Sequence, residues 1–212
     1  KKLNMNNKNY APHESNIFKA FETSLFDKKI CIIGKDPYYQ YNIATGLAFE
    51  IKTKSWGTKL VNKTLKNILK LLYFSYNNEY KDIADILLDI EVGKFKILPP
   101  DKLFKSWESQ GVLLLNSALT VEIGESGSHH KFWDNIFKDL IKYISLKNPN
   151  ITYLIWGKDA AQFGKYILSG KKIIHNHPAN AGMLDNPKDF FYGKSFIETK
   201  NIINWLGGTK IE

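Results

Sequence analysis

The chain contains no arginine. All 30 of its basic residues are lysines, set against 21 acidic residues for a formal net charge of +9 across 212 residues. Without guanidinium groups, bidentate fork recognition of phosphates is excluded. A polyanionic partner must be held by ammonium point charges, hydroxyls and backbone amides. The positive balance suits nucleic acid first and a membrane surface second, although a compositional preference for lysine accounts for it equally well. Cysteine is nearly absent too. Cys31, inside an apolar run, is the only one, so no internal disulfide can form and a reducing compartment is expected. No apolar stretch approaches the roughly 20 residues that cross a bilayer. No signal-peptide core opens the chain. These absences predict an intracellular protein, cytoplasmic or nuclear, that acts without a membrane. Five histidines and one cysteine form neither a Cys-x-x-Cys nor a His-x-x-x-His pair, and His175-x-His177 alone is weak, so no metal is expected. No glycine-rich phosphate loop calls for a nucleotide, so no cofactor is expected either. No Pro/Gly/Ser-rich linker divides the chain, which predicts a single domain over residues 1–212. Its first ten residues read as a frayed terminus and 77–100 as an excursion within a crossover.

What is present is an alternation of short apolar runs with amphipathic stretches. Ile30 to Ile33, Leu47 to Ile51, Val112 to Leu115 and Ile151 to Trp156 have the length and continuous apolarity of strands buried on both faces. Leu65 to Tyr73 repeats apolar residues at helical spacing, and so does Phe132 to Ile144, while Ile83 to Ile90 is helix-like. The alternation predicts an α/β fold, a three-layer α/β/α domain around a central four-stranded parallel sheet. In such sheets ligands gather at the carboxyl ends of the strands. Asp36, Asn116 and the residues after Trp156 fall at that edge.

The most informative segment is Gly34-Lys35-Asp36-Pro37-Tyr38-Tyr39. It closes the first apolar run and is followed by Gly46-Leu47-Ala48-Phe49. A carboxylate at the mouth of a buried strand, held by a proline turn and followed closely by an aromatic ring, is the layout of a catalytic pocket. The hexad resembles the water-activating motif of family 1 uracil-DNA glycosylases, and its spacing to the Gly-Leu-Ala-Phe tetrad matches without a gap. Further similar segments follow in the family's order: Thr64 to Ile68, Gln110 to Asn116, Ser128-His129, Leu154 to Gly157 and His177-Pro178. The resemblance covers most of the chain, apart from the family's N-terminal helical region.

The resemblance implies a glycosylase that flips deoxyuridine out of DNA and hydrolyses its N-glycosidic bond in base excision repair. Asp36 would place negative charge under the sugar cation and position the attacking water, while His177 would donate to uracil O2 as a neutral imidazole. Lys35, through its backbone amide, Tyr38, Phe49 and Asn116 would bind the base. In that set Asn116 reads the N3/O4 edge, Phe49 stacks and Tyr38 excludes the thymine methyl. Tyr39, Lys63, Thr64 and Ser128 would contact the DNA backbone. A monomer acting on uracil-containing DNA is implied, as is a possible DNA-mimicking protein inhibitor.

The departures from the family pattern are specific. Lys35 stands where glutamine is usual and Tyr39 where histidine is. Ala181 occupies the position of the leucine wedge that fills the vacated stack, within a longer loop whose Met183 or Leu184 could take over. Two other readings therefore stay open. One is a DNA- or partner-binding accessory protein on a glycosylase scaffold. The other is a glycosylase with altered base or strand preference.

Overall fold

A computed structural model describes residues 9–182 and 185–208. Four parallel strands form the central sheet: β2 (Ile30–Gly34), β3 (Val112–Asn116), β5 (Thr152–Trp156) and β6 (Lys171–His175), in spatial order β3-β2-β5-β6. Every residue of β2, β3 and β5 is buried, as their uninterrupted apolarity requires. The long connections carry the helices α1 (Lys63–Asn77), α2 (Ile83–Glu91), α3 (Pro100–Ser109), α4 (His130–Lys147) and the short α5 (Lys158–Ala161), giving the expected three-layer arrangement. A separate antiparallel pair joins β1 (Tyr10–Ala11) to β4 (Val121–Glu122).

The ends of the helices follow their sequences. The Asn62 side chain accepts from the Leu65 amide to cap α1, and Asn78 closes the same helix in a left-handed conformation at φ 55°. Helix α3 opens on Pro100, where the missing amide proton costs nothing. Leu65, Ile68, Leu69 and Leu72 of α1 turn one fully buried stripe toward the sheet. At the carboxyl end of β5 Trp156 packs edge-on against Phe190 and Phe196.

Two strand expectations need correction. Leu47 to Ile51 is not a strand, although Leu47, Ala48 and Ile51 are buried. Phe49 lies at φ 66°, a left-handed backbone incompatible with extension, and the segment hangs from β3 by the Ala48 amide donating to the Leu114 carbonyl. Its apolarity reflects its position beneath the pocket. The fourth strand is instead Lys171–His175, an edge strand in which only Ile173 is buried, so its two lysines hide it from a search for apolar runs.

Candidate active site

The candidate site residues line up along the carboxyl edge of the sheet. Asn116 is the last residue of β3, Lys35 and Asp36 follow β2, and His177 comes two residues after β6. In the sheet Gly34 is the register partner of Asn116. A Cβ added at Gly34 would stand 2.3 Å from the Asn116 Oδ1 atom. Only glycine leaves room for the amide to lie across the end of β2, with Asn116 itself buried.

The left-handed backbone at Phe49 is a strained conformation for an aromatic residue, of the kind that concentrates at binding sites. It leaves the ring half-buried, 5.6 Å from the Trp156 ring between centroids. Tyr38 lies against the same turn, its hydroxyl donating to the Phe49 carbonyl at 3.4 Å. Burial pushes the Tyr38 phenol up to about 12, partly offset by a hydrogen bond with Asn62. The ring is therefore a neutral wall.

Asp36 is held from the far side of the cleft. Its Oδ2 accepts from the Gly127 amide at 2.6 Å and from the Ser126 hydroxyl at 3.0 Å. Gly127 adopts φ +83°, a turn that aims its N–H at the carboxylate just ahead of α4. The loop that carries Ser126 and Gly127 is tied down by the Ser128 hydroxyl, which accepts from the Glu122 amide in β4 at 2.8 Å.

His177 is set by three elements. Gly157, at φ +92°, lets the ring approach: a Cβ there would be 2.8 Å from that of His177. The buried Asn67 of α1 donates to the Pro178 carbonyl at 2.7 Å and anchors the loop. The Ala179 amide donates to His177 Nδ1 at 3.1 Å. An amide can only donate, so Nδ1 is the acceptor and the proton of the neutral ring resides on Nε2. Burial lowers the His177 pKa, with Asp159 raising it and Lys35 lowering it by smaller amounts. A cavity of about 400 Å³ beside the ring is lined by Lys35, Trp156, Lys158, Ala160, Asn176 and Asn180, polar and apolar groups together. At its mouth Lys35 and Asp159 form a solvent-exposed ion pair at 3.5 Å, a geometry of little energetic weight.

Asp36, Lys35, Tyr38, Phe49, Asn116 and His177 are thus gathered by the fold. The remaining sequence-predicted residues are dispersed around them. Tyr39 is exposed and its carbonyl accepts from the Gly124 amide. Lys63 and Thr64 form the first turn of α1. Ala181 is half-buried and packs toward the core, while Met183 and Leu184 lie outside the described residues. Sequence reasoning missed Asn67, Ser126, Gly127, His130 and Asp159. Of these only Asn67 lay inside a segment that the sequence marked, Thr64 to Ile68, and there without a role.

Three histidines, His129, His175 and His177, have pKa values lowered chiefly by burial. In the window between their folded values and the ordinary value near 6.5, the unfolded chain binds more protons than the folded one. Stability therefore rises with pH and is lost on acidification below about 6.5. The melting temperature should be flat from pH 8 to 7 and fall between pH 6.5 and 5, less steeply in His175→Gln. A melting temperature unchanged down to pH 5 would contradict this.

The fold defines an α/β/α domain whose candidate carboxylate, amide, imidazole and aromatic ring all lie near the carboxyl ends of the parallel strands. Residues 21–204 match the family model described as the uracil DNA glycosylase superfamily, and the chain belongs to that family. It is 34% identical over 202 residues to the uracil-DNA glycosylase of Aliarcobacter butzleri, covering 94% of this chain and 84% of that protein. It is 36% identical over 205 residues to that of Blochmanniella floridana, covering 92% and 82%. Among solved structures, the wild-type UNG of Nitratifractor salsuginis superposes with a TM-score of 0.73 at 20% identity, over 95% of this chain and 83% of that one. The mimivirus uracil-DNA glycosylase superposes at 0.63 with 24% identity, over 81% and 58%. Both likenesses bear on the fold.

Proposed function

We propose that this protein hydrolyses the N-glycosidic bond of deoxyuridine in DNA, releasing uracil and leaving an abasic site. The observation that carries the reading is the hydrogen bond from the Ala179 amide to His177 Nδ1, which leaves Nε2–H as the donor of a ring at the same sheet edge as Asp36. As the C1′–N1 bond breaks, its electron pair moves onto the base and a cationic sugar remains. His177 Nε2–H meets the negative charge growing on uracil O2, and the Asp36 carboxylate faces the sugar. Water then adds to C1′, its proton leaves through Asp36 to solvent, and the uracil anion is protonated after release. Asn116 supplies both a donor and an acceptor to the base edge, Phe49 its stacking surface, and Tyr38 the wall beside C5. Hydrolysis of this bond needs no redox group.

The DNA backbone is assigned to the rim, with Tyr39, Lys63, Thr64 and Ser128 joined by Lys35 and Lys158. An acidic, DNA-mimicking protein inhibitor would compete for this face; a mimivirus relative is crystallised with UGI. The enzyme is assigned as a monomer. Ala181, packed toward the core, offers no side chain to fill a vacated base stack. Its neighbour Gly182 is tied by its amide to the Asp189 carboxylate at 3.1 Å. Extracting a base from a duplex costs a few kcal/mol that single strands largely avoid. Oligonucleotides bearing one uracil, incubated and then cleaved with alkali, should break at that position, the single strand more than about tenfold faster than the U:A duplex. A failure to break either strand would overturn uracil excision and leave the accessory-protein reading or a glycosylase of altered base preference. Equal rates would return the wedge role to Met183 or Leu184.

A further inference from the structure

His130 belongs to none of the segments that resemble the family's motifs, yet its imidazole stands beside the candidate carboxylate. It is the first residue of α4, and its amide donates to the Gly127 carbonyl at 3.1 Å. That contact puts it one turn beyond the loop that already holds Asp36. Its Nε2 lies 3.8 Å from Asp36 Oδ2, the oxygen that accepts from Ser126 and Gly127. The Nε2 atom is buried and has no hydrogen-bond partner among the described residues. The ring as a whole is part open, with the side chain 31% exposed against 9% for Asp36. A buried imidazole nitrogen without a partner carries a desolvation cost and calls for an explanation, and the group beside it is the carboxylate.

We propose that His130 is a positioning residue for Asp36, resting on the reading that Asp36 is the carboxylate of hydrolysis. The Ser126 and Gly127 donors both act on Oδ2, and His130 closes the third side of that oxygen. Together they fix the rotation of the carboxylate, so that Oδ1 is the oxygen presented to the sugar and the attacking water. The imidazole lies beyond direct hydrogen-bonding distance and approaches by a small rotation as negative charge on Asp36 is drawn toward the cation. A carboxylate free to rotate would spend much of its time misaligned, and small misplacements of a reacting group are expensive in rate.

A role exerted through Asp36 has a signature that a merely structural or DNA-contacting histidine lacks. Single-turnover rates and KM should be measured on a single-stranded uracil oligonucleotide for wild type, His130→Ala, His130→Gln, Asp36→Asn and the double variant Asp36→Asn/His130→Ala. We expect His130→Ala to lower the chemical rate by about ten- to a hundredfold with KM within about twofold. His130→Gln, which keeps a donor near Oδ2, should recover part of that loss. In the Asp36→Asn background His130→Ala should cost nothing further, because effects of residues that act as a unit do not add. Full additivity, a wild-type rate in His130→Ala, or an effect confined to KM would each overturn the proposal. Should His130→Ala not fold, His130→Gln alone and with Asp36→Asn carries the same comparison. The Asp36→Asn arm separates the two readings. If that variant is fully active, the reading of Asp36 fails. If it is inactive and His130→Ala is not impaired, only the role of His130 fails.

Discussion

Asp36→Asn should lower single-turnover excision of uracil by about 10²- to 10⁴-fold while leaving the protein folded. The substitution preserves shape, and an amide at this position can still accept from Ser126 and Gly127, the two donors that hold Oδ2. What it removes is the negative charge beside a cationic sugar. Binding to uracil-containing DNA should survive or tighten slightly, since a charge that repels phosphates has gone. The loss corresponds to about 3–5 kcal/mol of transition-state stabilisation, and it should appear in the rate of chemistry and not in KM. Rapid-quench kinetics with excess enzyme would measure it directly. A rate within threefold of wild type would remove Asp36 from the mechanism.

His177→Ala should cost about 10²- to 10³-fold, the scale of one preorganised donor to a developing oxyanion. The geometry makes this donor directional. The Ala179 amide occupies Nδ1, so the neutral ring has its proton on Nε2 with no tautomer to choose. Placing a second proton on Nδ1 would set donor against donor, in the same sense as the burial that lowers its pKa. Asn67→Ala, which removes the bond from α1 to the Pro178 carbonyl, should give a smaller loss by letting the loop that carries His177 wander. Loss of activity in Asn67→Ala equal to that in His177→Ala would mean that the loop, and not the imidazole, carries the effect. His177→Ala with an undiminished rate would remove the imidazole from the reaction.

Much of this site was legible because its chemistry is local in sequence. The hexad from Gly34 to Tyr39 begins on the last residue of an apolar strand, and the chain leaves the sheet just before Pro37. Asn116 likewise ends an uninterrupted apolar run, so both residues could be placed at the sheet edge from pattern alone. The edge strand Lys171–His175 was not legible, since a strand buried on one position carries no apolar run. Leu47 to Ile51 misled for the opposite reason, being apolar through burial without extension. The groups that hold the reactive side chains were hidden by distance: Ser126 meets Asp36 across 90 positions, and Asn67 reaches Pro178 across 111. Such pairings arise from strand order and loop anchoring, which no local pattern records. His130 is the clearest case, an unremarkable helix-start residue until the fold brings it to the carboxylate.

Excision of uracil by this protein should break the base–sugar bond and leave the phosphodiester backbone intact. It is tested most directly by incubating a single-stranded oligonucleotide containing one deoxyuridine in heavy-oxygen water and weighing both products without alkali treatment. The expected products are free uracil with no heavy oxygen and an unbroken strand with one heavy oxygen in its abasic sugar. An unbroken strand that still carries its uracil, or a strand cut at the phosphodiester, would contradict it.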